Sequence, residues 1–189
     1  MSDAFGHTQY LVRRKILKLL GGAFHIYAPD GSLALYSELK AFKLKEDIRL
    51  FADEAKTTEV VRISARSVID FGATYDVFDG ASNTKLGALR RKGLKSIVRD
   101  SWVILDANDQ EIGSIAEDSM LLALVRRILS NLVPQTFQAT VNGQPAATFR
   151  QNFNPFVLKI TVTFTGEALD KRLGLAACVL LAAIEGRQN

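Results

Sequence analysis

The chain reads as mostly β: a twelve-stranded antiparallel closed barrel enclosing an apolar C-terminal α-helix, with one amphipathic helix near 119–132. Three observations predict this. Apolar and polar residues alternate along most of the 189 residues, the period-two signature of half-buried strands. Four connections repeat one pattern, an apolar strand ending in Asp or Asn, then a turn, then a returning strand. Lastly, Leu173 to Ile184 reads LGLAACVLLAAI without one charge. That run is short of the roughly 20 apolar residues needed to cross a bilayer. A helix apolar on every side must be buried, and strand-like sequence precedes it.

In chain order, the alternation marks strands near 9–19, 22–28, 32–38 and 47–53. Val61, Ile63 and Ala65 alternate with Arg62, Ser64 and Arg66. Further strands fall near 73–78, 85–91, 97–106 and 111–116. Phe137, Ala139 and Val141 alternate with Thr136, Gln138 and Thr140, and 145–151 follows. The cleanest case is Phe156, Leu158, Ile160, Val162 and Phe164 set against Lys159, Thr161, Thr163 and Thr165. The repeated connections are Pro29-Asp30-Gly31, Asp79-Gly80, Asp106-Ala107-Asn108-Asp109 and Asn142-Gly143. Asp, Asn and Gly tolerate the positive φ that hairpin turns demand. Successive hairpins make an antiparallel meander, and closure removes its exposed edges.

The helix near 119–132 follows Glu117-Asp118-Ser119, an N-cap signal. It places Leu121, Leu124, Val125, Ile128 and Leu132 at helical spacing, and Pro134 ends it. No Pro-, Gly- or Ser-rich linker divides the chain. Composition is apolar (48% hydrophobic) and mildly basic, with net charge +4. The pI is about 9.3. The single cysteine, Cys178, lies in the apolar helix and reads as a small buried hydrophobe. The first nine residues lack the apolar region of a secretory signal, so a cytoplasmic location is expected.

Three sets of residues, Asp79-Gly80…Leu86-Gly87, Asp106-Ala107-Asn108…Ile112-Gly113-Ser114-Ile115, and Leu173 to Ile184, carry a family resemblance. The chain resembles the Tubby C-terminal-like superfamily, most of all its LURP-one-related and phospholipid-scramblase-like proteins. The resemblance runs from about residue 8. It implies a flexible N-terminus over 1–7 and a single barrel domain over 8–189, closed around a threading helix. Such a helix needs small residues in a narrow lumen, and Gly174, Ala176, Ala177, Cys178, Ala182 and Ala183 meet that need. The resemblance also implies binding of phosphoinositide-like head groups or other lipids. Scramblases carry a Pro-rich tail, a cysteine run and an acidic calcium-like segment. This chain has none of the three, so head-group binding rather than lipid movement is expected.

Basic residues supply the candidate site. Arg90, Arg91, Lys92, Lys95 and Arg99 bring five positive charges into ten residues. Arg13 and Arg14, with Lys15 and Lys18, form a second group, and Arg126-Arg127 a third. If they converge, Arg forks and Lys charges hold an anionic head group. The alternative is an ordinary solvated surface whose charges are balanced by Glu and Asp. Asp106, Asn108, Asp109 and Glu111 lack EF-hand spacing, and Asx-turn chemistry accounts for them.

No catalytic, metal or cofactor motif appears. His7 and His25 are the only histidines, and Gly113-Ser114-Ile115 lacks the second glycine of a nucleophile elbow. Trp102 and the tyrosines stand apart from the basic groups in sequence, so no nucleic acid partner is expected. The expectation is a non-enzymatic, cytoplasmic barrel that binds anionic lipid head groups at the membrane periphery and has no transmembrane segment. The alternative is a protein-interaction or structural barrel without a small ligand.

Overall fold

The computed structural model of the chain describes residues 4–17, 21–40, 47–66, 73–92, 101–117, 135–152 and 157–184. Twelve strands occur in chain order. They are β1 (Gln9–Leu17), β2 (Gly21–Tyr27), β3 (Leu33–Lys40), β4 (Asp47–Phe51), β5 (Glu59–Ala65) and β6 (Thr74–Asp79). Then come β7 (Lys85–Arg91), β8 (Ser101–Leu105), β9 (Glu111–Glu117), β10 (Thr136–Val141), β11 (Gln144–Asn152) and β12 (Leu158–Phe164). Each pairs with its sequence neighbours, and β1 pairs with β12 to close the barrel. The helix expected near 119–132 lies outside the described residues, as do Lys18, Lys95, Arg99, Arg126 and Arg127.

Alternation decides which side chains fill the lumen. On β12, Ile160, Val162 and Phe164 are buried, while Lys159, Thr161 and Thr163 are half-buried or exposed. The helix Lys171–Ile184 runs inside, with Leu173 through Ala183 all buried. It touches β1, β5, β6, β7 and β12, walls on opposite sides of the ring. Each Leu or Val so buried contributes about 1.5–3 kcal/mol before entropy. Residues 4 and 5 belong to the segment expected to be flexible, yet Ala4 and Phe5 pack partly buried against the core.

The turns of one rim are built by side chains that accept backbone hydrogen bonds. Asp30 Oδ1 accepts from the Ser32 amide and hydroxyl, at 2.9 and 2.6 Å. Asp79 Oδ1 accepts from the amides of Ala81 and Ser82 and from the Ser82 hydroxyl. Asp106 Oδ1 accepts from the amides of Asn108 and Gln110, both at 2.8 Å. Asp53 makes a fourth such turn with Thr57. Asn142 and Gly143, at φ 50° and 76°, form the two-residue turn between β10 and β11.

The Leu-Gly and Ile-Gly that follow two of these turns have a steric cause. A Cβ on Gly87 would collide with the Leu105 carbonyl, and one on Gly113 with that of Thr140. Both glycines therefore admit the close approach of a neighbouring strand.

The same rim holds the start of the helix. Asp170 caps it, accepting from the Arg172 amide at 2.8 Å. The Arg172 guanidinium grips Asp170 and reaches Asp79 at 2.8 Å, tying helix to β6–β7 turn.

Candidate anion-binding face

Residues directly opposite in paired strands share a face, so register converts sequence into surface. On the outer face of β1, β12 and β11 it builds three rows. Gln9 lies opposite Thr163, which lies opposite Thr148. Leu11, Thr161 and Arg150 form the next row, and Arg13, Lys159 and Asn152 the third. Eight of these nine side chains carry hydrogen-bond donors, three of them are cations, and none is a carboxylate. Gln9, Thr148, Arg150, Asn152, Thr161 and Thr163 line a shallow open depression of about 510 Å³.

The face is unusual in what surrounds it. Strands β10, β11, β12, β1 and β2 are contiguous in the barrel and contain no Asp or Glu. Among the described residues, Arg13, Lys15, Arg150 and Lys159 make no ion pair. Several cations around the rest of the ring are tied up, although among the described residues Arg62 and Lys92 make no ion pair either. Arg49 pairs with Asp47 and Glu59, and Lys56 with Glu38. Arg66 and Lys85 share Asp76 and Asp109. Those hydrogen bonds hold the Asp109 carboxyl below its ordinary value. At Asp76 burial pulls the other way, but Arg66 and Lys85 outweigh it and its carboxyl is lowered too.

The described residues of the first two basic groups do not meet. Strands β1 and β7 are six positions apart in either direction around the ring, so Arg13 and Arg90 lie on opposite sides. Within each group, neighbouring residues point to opposite faces. Arg13 is outward and exposed. Arg14 turns into the lumen, where its Nη1 donates to the Ala182 carbonyl at 2.8 Å and its guanidinium lies 5.9 Å from the Phe24 ring centroid. From there it satisfies a carbonyl of the helix's last turn. Arg90 points outward and pairs with Glu111 at 3.6 Å. Arg91 shares the lumen face with Leu89, and Lys92 is exposed just past the strand. Lys95 and Arg99 are outside the described residues.

Of the predicted residues that are described, Arg13 and Lys15 belong to the acid-free face. Arg150, Lys159 and the threonines were not predicted, although a signal for them exists. Residues 4–29 and 119–166 contain no Asp or Glu at all. Those two stretches become neighbours only when β1 pairs with β12.

Aromatic rings flank the cations. Tyr27 lies opposite Leu11, His25 opposite Arg13, and Tyr36 opposite His25. The His25 and Tyr27 rings are nearly parallel at 6.1 Å, and Tyr36 meets His25 edge-on at 5.2 Å. His25 Nε2 is 3.3 Å from the Glu54 carboxylate, which marks the acidic boundary of the face. Strand pairing thus sets two tyrosines near basic residues that are distant from them in sequence.

Among the described residues, no group of three His, Cys, Asp or Glu is arranged to hold a metal ion. None of the described helices is long and apolar enough to cross a membrane. No protein-family model matches the sequence, and neither the curated proteins nor the solved structures yield a match.

Proposed function

We propose that the chain is a non-enzymatic barrel that attaches to anionic lipid head groups at a membrane surface, through the outer face of β11, β12 and β1. One observation carries this reading: four cations that find no carboxylate partner among the described residues stand on five strands that contain no acidic residue. An isolated surface cation contributes about 1 kcal/mol of attraction near an anionic membrane. Several on one face sum to reversible binding. Tyr27 and Tyr36 beside them have the amphipathic rings suited to the head-group level.

The test is co-sedimentation with vesicles of phosphatidylcholine alone, or with phosphatidylserine or a phosphoinositide added, at low and physiological salt. The expected result is binding that needs the anionic lipid, weakens with salt, and is lost in the R13A/R150A/K159A triple variant. Arg90→Ala, on the opposite side of the ring, leaves it unchanged. Absence of binding to every vesicle overturns the reading in favour of a protein-binding or structural barrel. Capture of a single-stranded oligonucleotide by the same residues, without vesicle binding, overturns it as well.

A further inference from the structure

We infer that the depression at the centre of this face is a subsite for a phosphate monoester. This rests on the head-group reading above and adds the chemical class of the group it takes. A phosphate monoester presents three strong acceptor oxygens and close to two negative charges at neutral pH. A diester such as phosphatidylglycerol has two terminal oxygens and one charge, and scattered cations suffice to attract it. What distinguishes the monoester is a demand for many donors within one small area.

The depression meets that demand. Arg150 and Thr161 are direct cross-strand partners, as are Thr163 and Thr148, and Gln9 lies opposite Thr163. Direct partners stand about 4.5–5.5 Å apart at Cβ, a spacing a single phosphate group spans. Three hydroxyls, two carboxamides and a guanidinium therefore face one open space. The Thr161 hydroxyl donates its one proton to Asn152 Oδ1 at 3.5 Å, which fixes that carboxamide and leaves its NH2 as the donor for a ligand. Arg150 is exposed, so its fork is available for two oxygens of one group. No carboxylate on the five surrounding strands competes for these donors.

The experiment compares the full chain on phosphatidylcholine vesicles containing either phosphatidic acid or phosphatidylglycerol, matched in zeta potential. The expected result is about tenfold tighter binding to phosphatidic acid, the factor one charged hydrogen bond supplies. The T161V/T163V variant keeps charge and shape and loses the preference while retaining the binding common to both vesicles. Arg150→Lys, which keeps the charge and removes the fork, loses it too. Equal binding to the two vesicles by the wild type, or a preference that survives both variants, overturns the subsite. Loss of the preference on adding glycerol 3-phosphate supports a site filled by the phosphate group alone. Persistence of the preference supports one that reads it on the membrane. Failure to bind either vesicle type overturns the head-group reading itself, so the two failures are distinguishable.

Discussion

The Arg14 guanidinium on β1 donates to the Ala182 carbonyl at 2.8 Å, joining residues 168 positions apart in the chain. The bond places a positive charge at the carbonyl-rich end of the helix, where the backbone dipole favours one. Arg14→Met keeps the aliphatic stem and removes the donor. It is expected to lower stability by about 1.5–3 kcal/mol in urea denaturation. Vesicle binding by the folded fraction should not change, because Arg14 faces the lumen. A binding loss equal to that of Arg13→Ala would contradict this placement.

Gly174 offers a test in which two effects have opposite signs. Alanine in a helix interior is favoured over glycine by about 1 kcal/mol. A Cβ at this position would collide with the Phe164 ring, inside a closed wall. Overpacking of this kind costs about 1–3 kcal/mol. Gly174→Ala is therefore expected to destabilise, and a raised denaturation midpoint would refute the close helix–wall packing.

Ala177 is 3% exposed in the middle of the threading helix. A carboxylate there has no partner and no route to water. The cost of burying it, several kcal/mol, rivals the whole stability of a domain, about 5–15 kcal/mol. Ala177→Glu is expected to yield insoluble or molten protein, with near-ultraviolet circular dichroism lost. Deletion from Leu173 onward should do the same.

Stability should fall in acid. Hydrogen bonds from the Ser82 amide and hydroxyl, with Arg172 beside them, hold the Asp79 carboxyl below its ordinary value of 3.8. Asp170 is lowered as well: burial opposes the shift, but hydrogen bonds from Arg172 outweigh it. A carboxyl with a depressed folded pKa binds protons more readily when unfolded. Its contribution is complete above the unfolded value and disappears as pH drops through the folded one. Urea midpoints should therefore hold steady from neutral pH to just above 4 and decline towards about pH 3. Asp79→Asn should lower the neutral plateau and flatten the decline.

What could be read in the sequence follows from range. Alternation and Asx turns act over a few residues, so the strands, their hairpins and the buried helix were legible one at a time. The rim was legible too, since Asp79 and Asp106 organise their turns from within. The acid-free face was not. Runs such as Arg13-Arg14-Lys15 and Arg90-Arg91 look like single patches, but adjacent strand residues point to opposite faces. Arg150 and Lys159 join Arg13 only through two strand registers, one of which links the first strand to the last. The absence of acid from 4–29 and 119–166 is visible in the sequence, and barrel closure gives it meaning.

The threading helix also imposes an order on the molecule's birth. Ribosomes deliver all twelve strands before the segment that fills the space between them. Until Leu173–Ala183 has emerged, the inward rows of β1, β5, β6, β7 and β12 lack their partner. Folding must then be a late event that engages the whole length of the chain at once. Such distant pairings are slow to form and leave sticky surface exposed meanwhile. Slowing translation should therefore give the nascent chain no head start.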